Sequence, residues 1–222
     1  MKWNWVGDQG IQLVLASEIN EDCQNQIQKI YTNFRDVPEE HLQELVVGYS
    51  QIVFLWSKST RIFSKFQMEE LVQKIKKRVN ECLSKEEEKE EINTKPTSII
   101  SIPTIYNGPD LKFVADYTGC SVNELIERHA APLYRVFFIG FLPGFAYLGG
   151  LDQRLHCPRK TTPRATVPAG SVGIGGAQTG IYPMESPGGW QLIGQTTRPI
   201  FRPYESPMTL LTMGDYVQFI PQ

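Results

Sequence analysis

Glycine and proline are concentrated in the second half of this chain, and that asymmetry constrains its fold more than any other feature. Of the 18 glycines and 15 prolines, 15 and 13 respectively follow residue 97. Because these residues interrupt regular structure so often, long helices are disfavoured there and short strands joined by tight turns are favoured. The sequence therefore predicts a mostly antiparallel barrel over residues 98–222, since closure of a sheet removes its exposed edges.

Within that half, strands and one helix can be placed from the pattern of apolar residues. The clearest strand candidates are residues 133–141, 166–174, 189–194 and 216–220. The single predicted helix begins with a capping-box pattern at Ser121 and Glu124, and it ends at Ala131-Pro132.

The first half has the periodicities of a small α+β domain, predicted over residues 1–83. Strand-like segments at 11–16, 44–49 and 52–56 alternate with two amphipathic helices, one at 20–34 and one that follows a capping box at Ser64–Gln67. This order predicts a split βαβ arrangement. Residues 3–6 or a segment from elsewhere would supply its remaining strand. The charged segment 84–97 has no apolar face, so it is predicted to be an exposed linker.

Composition and charge argue against several classes of partner. The net charge is −2, so no global basic field favours nucleic acid. No stretch approaches 18 consecutive apolar residues, and the first ten residues lack the apolar core of a signal peptide. The four cysteines are far apart in the sequence and lack metal-ligand spacing. We therefore expect a cytoplasmic chain with reduced thiols, no membrane span and no metal site.

A glycine-rich run at residues 173–180 invites comparison with nucleotide-binding loops. A phosphate-binding loop requires Lys and then Ser or Thr after its last glycine, whereas Ile181 and Tyr182 follow here. The spacing also departs from the dinucleotide-binding pattern, and Pro183 opposes the helix which that pattern requires. The chain is therefore predicted to lack an ATP site of either type.

Histidine and cysteine give no catalytic candidate. His129 lies on the apolar face of the predicted helix, where packing or capping is the favoured role. His156 and Cys157 are neighbours, so in an extended chain their side chains point to opposite sides. No nucleophile-elbow or metalloprotease motif is present. The sequence therefore leaves the catalytic residues unknown.

A repeated Pro-Arg pair indicates a ligand site more strongly than the histidines and cysteines do. Pro158-Arg159 and Pro163-Arg164 place two guanidinium groups next to rigid backbone, ahead of Gln178, Thr179 and Tyr182. Such arginines bind carboxylates or phosphates, and the amide and hydroxyl groups suit an amide-bearing molecule. The alternative is that both arginines brace loops by donating to backbone carbonyls. The sequence leaves these two interpretations open.

The same region carries a family resemblance. The motifs are GFLPGFAYLGGLD (140–152), PRKTTPRATVPAGSVGIGGAQTGIYP (158–183), SPGGWQLIGQT (186–196) and MGDYVQFIP (213–221), and upstream YNGPDL (106–111) and the SVNELIERH helix also fit the family pattern. With these motifs the chain resembles the B subunit of the bacterial ATP-dependent 5-oxoprolinase. That family is also called allophanate hydrolase subunit 1, and it includes a sporulation kinase inhibitor. The likeness is strong over about 100–222 and looser over 1–83.

The resemblance implies a fold and a function. It implies a ferredoxin-like N-terminal domain and a cyclophilin-like C-terminal barrel. It further implies that the chain, inactive alone, acts with the A and C subunits to open 5-oxo-L-proline to L-glutamate, with ATP as co-substrate of the complex. The alternative within the family is an inhibitor that binds a sensor histidine kinase through its C-terminal barrel. A third interpretation, from the older family name, is action on urea-derived amides.

The resemblance also implies a ligand pocket. Its residues are Phe145, Tyr147, Arg159, Arg164, Pro168, Gly170, Ser171, Gln178, Thr179, Tyr182, Gly188, Gly189 and Trp190, with Pro143, Gly144 and Pro183 beside them. The implied roles are carboxylate or phosphate binding by the arginines, amide or carbonyl binding by Gln178 and Thr179, and walls built by the aromatic residues. Gln195 departs from the family pattern, which has Arg there, so an anion contact at that position is weakened. The cyclophilin active-site signature is absent, and prolyl isomerase activity is not implied.

Overall fold

The structure is a computed structural model that describes residues 1–16, 21–57, 60, 63–84 and 99–222. The chain divides into two compact units, Met1–Thr94 and Lys95–Gln222. The division falls in the segment predicted to be a linker, and residues 85–97 of that segment lie outside the described residues.

The first unit is a four-stranded antiparallel sheet with two helices. Its elements are β1 (Lys2–Val6), β2 (Gly10–Val14), α1 (Glu21–Asp36), β3 (Leu42–Val47), β4 (Gln51–Trp56) and α2 (Lys65–Ser84). The strand order is β1-β2-β4-β3. Helix α1 thus connects two strands that lie on either side of β4, which is a split βαβ arrangement. The N-terminal strand β1 completes the sheet at its edge.

Both helices of this unit pack an apolar face on the sheet. Phe34 of α1 and Ile75 of α2 belong to one core with Phe54 of β4. Helix α2 begins with a reciprocal capping box, in which the Gln67 backbone N–H donates to Ser64 Oγ and the Ser64 N–H donates to Gln67 Oε1. This pair satisfies two backbone donors that the first helical turn leaves free.

The second unit consists of short strands with two short helices near its start. Its elements are β5 (Ile99–Thr104), α3 (Leu111–Thr118), α4 (Val122–Ala130), β6 (Tyr134–Ile139), β7 (Ala146–Gly149), a 3-10 turn (Gln153–Leu155), β8 (Arg164–Val167), β9 (Ser171–Gly175), β10 (Gln178–Ile181), β11 (Ser186–Gly188), β12 (Gln191–Gln195) and β13 (Tyr216–Pro221).

Seven of these strands form a nearly closed barrel. The order is β12-β9-β10-β7-β6-β13-β5, in which β13 and β5 are parallel and the other pairs are antiparallel. Beyond β5, Ile105 exchanges two backbone hydrogen bonds of 2.9 Å with Gln195 at the end of β12. This bridge joins the two ends of the sheet. The predicted mostly antiparallel barrel is confirmed, whereas its cyclophilin-like topology and the ferredoxin-like assignment of the first unit stay predictions.

Two predictions about elements of the second unit are wrong. The first is the single helix, because α3 precedes α4. Helix α3 has only two turns, and Gly119 ends it in the left-handed conformation with φ +70°. The second is the continuous strand at 166–174, which is divided into β8 and β9. Gly170 causes the break, with φ +80° and a backbone so close to the Thr196 carbonyl that a Cβ would approach its oxygen to 2.1 Å.

The glycine-rich run forms a hairpin. Residues 173–175 end β9, Gly176 turns the chain with φ +68°, and β10 starts at Gln178. A strand rather than a helix follows the turn. This geometry agrees with the exclusion of a phosphate-binding loop, because such a loop presents the amino end of a helix to the phosphate.

Candidate functional site

Strand β10 presents alternate side chains to opposite faces of the barrel wall. Ile181 packs in the barrel core, and Thr179 is fully buried on the same face. Gly180 faces the other side, where a Cβ would lie 3.0 Å from the Trp190 ring. Gln178 shares that outer face by alternation. The two predicted ligand residues Gln178 and Thr179 are therefore separated by the barrel wall.

Thr179 belongs to a polar network inside the barrel. Its hydroxyl donates to the Gly173 carbonyl at 3.0 Å, so its oxygen accepts a hydrogen bond from His129 Nε2 at 2.8 Å. The other ring nitrogen, Nδ1, then accepts from the Tyr106 hydroxyl at 2.8 Å. The hydroxyl of Thr179 thus donates one hydrogen bond and accepts another inside the barrel, and its implied role in ligand binding stays a prediction.

The histidine of this network is held neutral. His129 is completely buried, and burial lowers its pKa to about 3. Burial also raises the pKa of Tyr106. His129 therefore packs in the core, as the sequence favours, and it is poorly suited to act as a general base at neutral pH.

Four aromatic side chains form a cluster on the outer face of the barrel wall. Phe145 is central: its ring meets Tyr147, Tyr182 and Trp190 edge-on at centroid distances of 4.9, 5.3 and 5.4 Å. Phe145, Tyr182 and Trp190 are buried together with Val167 and Leu192, and Tyr147 is half-buried beside them. We call Phe145, Tyr147, Tyr182 and Trp190 the aromatic cluster. The resemblance assigns these residues to the walls of a ligand pocket, and that assignment stays a prediction.

Glycines provide the space for these rings. A Cβ on Gly175 would come within 2.5 Å of the Trp190 indole, and one on Gly188 would come within 2.4 Å of the Tyr182 hydroxyl. That hydroxyl is hydrogen-bonded to the backbone of Trp190. Gly188 therefore leaves room for the Tyr182 ring because it lacks a side chain. This is a packing role and does not require contact with a ligand. Gly189 next to it has room, since its nearest neighbour, Pro163 Cγ, would be 3.7 Å away.

Arg159 is the cation at the surface of the aromatic cluster. It is exposed, and its guanidinium carbon lies 5.7 Å from the centre of the Trp190 ring. Burial raises the pKa of Tyr147 and of Tyr182, and the nearby positive charge of Arg159 opposes that rise in both. In the described part of the chain, Arg159 forms no salt bridge with a carboxylate. It is therefore available to an anion.

Arg164, the second arginine of the repeated pair, is used internally. Its Nη2 donates to both oxygens of Asp110 at 2.7 Å, and its Nη1 donates to the Trp190 carbonyl at 3.3 Å. This is the bracing role that the sequence left as an alternative. The two arginines differ, since Arg164 holds the structure and Arg159 faces outward.

Asp110 is the residue at this site that the sequence analysis missed. It lies 54 positions before Arg164 in the chain, and no local pattern links the two. The only available signal was its place in the motif YNGPDL at 106–111, directly before the apolar face of α3.

The remaining predicted residues lie in turns at the ends of the strands. Pro168 is exposed in the β8–β9 turn, and the Gly170 N–H donates to the Tyr182 carbonyl at 2.7 Å. Ser171 is buried, and its carbonyl accepts from the Tyr182 N–H. Gly144 packs near Pro183 with φ +80°. These residues set the backbone around Tyr182.

Two further positions bear on the chemistry. Cys157 is buried in the barrel core, and burial together with the negative charge of Asp110 raises its thiol pKa. A raised thiol pKa is the reverse of an activated thiolate. Gln195 is exposed at the bridge that closes the barrel, and its neutral side chain offers no cation there.

The described residues contain no group of three His, Cys, Asp or Glu side chains that is placed to hold a metal ion. Within the same residues, no helix combines the length and the apolar character needed to cross a bilayer.

Comparison with known proteins gives consistent matches. The family model for the carboxyltransferase domain, subdomain C and D, matches residues 1–211. The 5-oxoprolinase B subunit of Bacillus subtilis (strain 168) is 36% identical over 225 residues, which cover 97% of this chain and 90% of the relative. The 5-oxoprolinase B subunit of Escherichia coli O157:H7 is 52% identical over 126 residues, which cover 55% of this chain and 58% of the relative.

A solved structure also matches. The crystal structure of TTHA0988 superposes with a TM-score of 0.79 at 30% sequence identity, over 96% of this chain. The matched part is 40% of that longer chain.

Proposed function

The chain belongs to the family of the carboxyltransferase domain, subdomain C and D, and on that premise we propose that it is the B subunit of an ATP-dependent 5-oxoprolinase. The observation that carries the proposal is its 36% identity with a 5-oxoprolinase B subunit over 90% of that relative's length. In the proposed reaction, the A, B and C subunits together open the ring of 5-oxo-L-proline to give L-glutamate, coupled to ATP hydrolysis.

The outer face of the barrel fits this substrate chemically. 5-Oxo-L-proline has a carboxylate, a cyclic amide and a small apolar ring. We assign the carboxylate to Arg159, because its guanidinium is exposed and lacks a salt bridge to a described carboxylate. We assign the amide to Gln178, which is 9% exposed and which alternation along β10 places on the same face as Gly180 and the Trp190 ring. The cluster would form an apolar wall for the ring.

The division of labour in the complex follows from what this chain offers. Its glycine-rich run is a hairpin, so we place ATP on one of the other two proteins. Its buried histidine and its core cysteine have pKa values shifted away from base or nucleophile chemistry at neutral pH. We therefore infer that the A or the C subunit supplies the catalytic base, and that this chain binds and orients the substrate.

Reconstitution tests the proposal directly. The purified chain is mixed with the A and C subunits of the same organism, and phosphate release is followed with and without 5-oxo-L-proline. We expect turnover that requires all three subunits and the substrate, and none from this chain alone. A complex that forms but shows no 5-oxoproline-dependent ATP hydrolysis would contradict the proposal. Parallel assays with urea-derived amides test the third interpretation.

A second function in the same family is inhibition of a sensor histidine kinase. One observation favours a docking role: Phe141 is 60% exposed and has φ +67°, a strained conformation for a residue that is not glycine. The other aromatic residues at 141–147 and 184–190 are less available, since Phe145 and Trp190 are buried. The test is autophosphorylation of the organism's sensor kinases at rising concentrations of this chain. If none is inhibited, this function is excluded.

A further inference from the structure

Asp110 joins three parts of the second unit through one carboxylate. It lies at the start of α3, and each of its oxygens accepts from Arg164 Nη2 at 2.7 Å. Its Oδ2 also accepts from the backbone N–H of Leu192 in β12 at 2.7 Å. Lys160 Nζ is 3.5 Å from Oδ1. One carboxylate thus connects α3 and β12 to the loop that carries the repeated Pro-Arg pair.

Because Asp110 is buried, its carboxylate requires partners in defined positions. Its side chain is only 8% exposed, and a carboxylate so enclosed is costly unless it is paired and hydrogen-bonded. Arg164, Lys160 and the Leu192 N–H together provide that compensation. Since these partners come from separate parts of the sequence, the carboxylate fixes their mutual positions.

Arg159 directly precedes Lys160, the first residue of the segment 160–164 that Asp110 holds. The flanking backbone has two further contacts: the Lys160 N–H donates to the Gly189 carbonyl at 2.7 Å, and the Pro158 carbonyl accepts from Gln191 Nε2 at 2.9 Å. The guanidinium carbon of Arg159 lies over the Trp190 ring, 5.7 Å from its centre. Its position therefore depends on the neighbours that Asp110 anchors.

Asp110 also separates the three cations of this segment by role. Its negative charge is paired with Arg164 and lies within 3.5 Å of Lys160. Arg159 has no such pairing in the described residues, and it remains exposed. An incoming anion consequently meets one free guanidinium rather than three mobile cations.

We propose that Asp110 is a positioning residue for the outer-face site: by holding Arg164 and Lys160 it sets Arg159 above Trp190, ready for a carboxylate-bearing ligand. The expected effect of Asp110 on KM rests on the proposed function. Its effect on the position of residues 159–164 concerns this chain alone and is tested separately.

Limited proteolysis of the full chain tests whether Asp110 holds residues 159–164 in place. Trypsin cleaves after Arg159, Lys160 and Arg164, and mass spectrometry measures each cleavage. In Asp110→Asn we expect cleavage at these sites to be about tenfold faster, because the segment opens locally. The matched control is Asp152→Asn, which removes another carboxylate of the same unit, one that accepts from Arg128 at 3.1 Å. We expect this control to change those cleavages by less than about twofold. Equal cleavage in Asp110→Asn and the original chain would overturn the proposal.

Kinetics of the reconstituted complex test whether Asp110 acts through Arg159. We expect Asp110→Asn to raise KM for 5-oxo-L-proline about tenfold while kcat changes by less than about threefold. Combined with Arg159→Ala, it should add little further effect, because both changes remove the same contact. Additive effects, or an unchanged KM, would overturn the proposal. Asp110→Glu keeps the charge and should recover part of the loss; it replaces Asp110→Asn in both assays if that variant does not fold. A complex of unaltered subunits without turnover would refute the proposed function, and proteolysis would still decide the role of Asp110.

Discussion

His129 donates a hydrogen bond from Nε2 to the Thr179 hydroxyl oxygen across 2.8 Å inside the barrel. The direction follows from the hydroxyl proton of Thr179, which is directed to the Gly173 carbonyl. The histidine is thus fixed as one neutral tautomer in the core. The pair places both residues in the core: His129, for which the sequence favours packing or capping, and Thr179, which the resemblance assigns to ligand binding.

The first prediction is that the second unit loses stability in acid because of His129. Its pKa in the folded chain is about 3, against an ordinary value of 6.5. Above pH 6.5 the folded and unfolded chains both hold it neutral, and it has no effect. Below that value the unfolded chain takes up a proton that the folded chain refuses, so stability falls. The slope approaches about 1.4 kcal/mol per pH unit as pH falls towards the folded pKa.

Urea denaturation at pH 7.5, 6 and 5 measures this slope. The comparison is with His129→Gln, which retains hydrogen-bonding groups but does not titrate in this range. We expect the original chain to lose more stability between pH 6 and pH 5 than the variant does. Parallel pH profiles for the two proteins would show that His129 is not the cause.

The second prediction separates the structural role of Thr179 from ligand binding. Thr179→Val keeps the shape of the side chain but removes the acceptor of the His129 N–H, leaving a buried donor unpaired. We expect a loss of about 1–3 kcal/mol in the free energy of unfolding. Thr162→Val, at an exposed position, should stay within about 0.5 kcal/mol. A Thr179 variant that is fully stable but has a raised KM would restore this residue to the ligand site.

The sequence predicts the long periodic elements well and the short ones poorly. The helix expected at 20–34 is Glu21–Asp36, because an apolar stripe over four turns is a strong signal. The four-residue strand β10 is missed, because glycine and polar residues give it no recognisable alternation. Its two polar candidates alternate across the barrel wall, and the sequence does not say which faces inward.

The candidate site shows the same limit. Its aromatic residues and Arg159 are recognisable from residue type and from the family motifs. The partner that distinguishes Arg164 from Arg159 is Asp110, whose contact depends on how distant segments fold together. Local spacing in the sequence carries no information about a contact between residues so far apart. The sequence therefore suggests that an arginine here either braces a loop or binds an anion, but it does not show which arginine has which role.

The third prediction uses two adjacent glycines. In Gly188→Ala the new methyl group would meet the Tyr182 ring and hydroxyl at 2.4–2.8 Å, whereas in Gly189→Ala the nearest contacts are 3.7–3.8 Å. We expect Gly188→Ala to destabilise the chain by about 1–3 kcal/mol, since overpacking forces the ring to move. Gly189→Ala should stay within about 0.5 kcal/mol. Urea denaturation followed by tryptophan fluorescence gives both values, and equal stabilities would contradict the packing of Tyr182 on Gly188.

The fourth prediction is that truncation of Arg164 lowers the stability of the chain, whereas truncation of Arg159 does not. Arg164→Ala leaves the enclosed carboxylate of Asp110 with the more distant Lys160 and the Leu192 N–H, so we expect a loss of about 2–3 kcal/mol in stability. Arg159→Ala removes an exposed side chain that lies over the Trp190 ring without a salt bridge to a described carboxylate, and stability should change by less than about 0.5 kcal/mol.

Substrate binding should depend directly on Arg159, whereas stability should depend on Arg164. In the reconstituted complex, Arg159→Ala should raise KM for 5-oxo-L-proline about 10- to 100-fold, because the carboxylate loses its charge-assisted contact. Arg159→Lys should recover only part of this loss, since an ammonium lacks the planar fork of a guanidinium and stacks less well on Trp190. If Arg159→Ala binds the substrate as tightly as the original chain, the carboxylate lies elsewhere, and the outer face of the barrel is then not the substrate site.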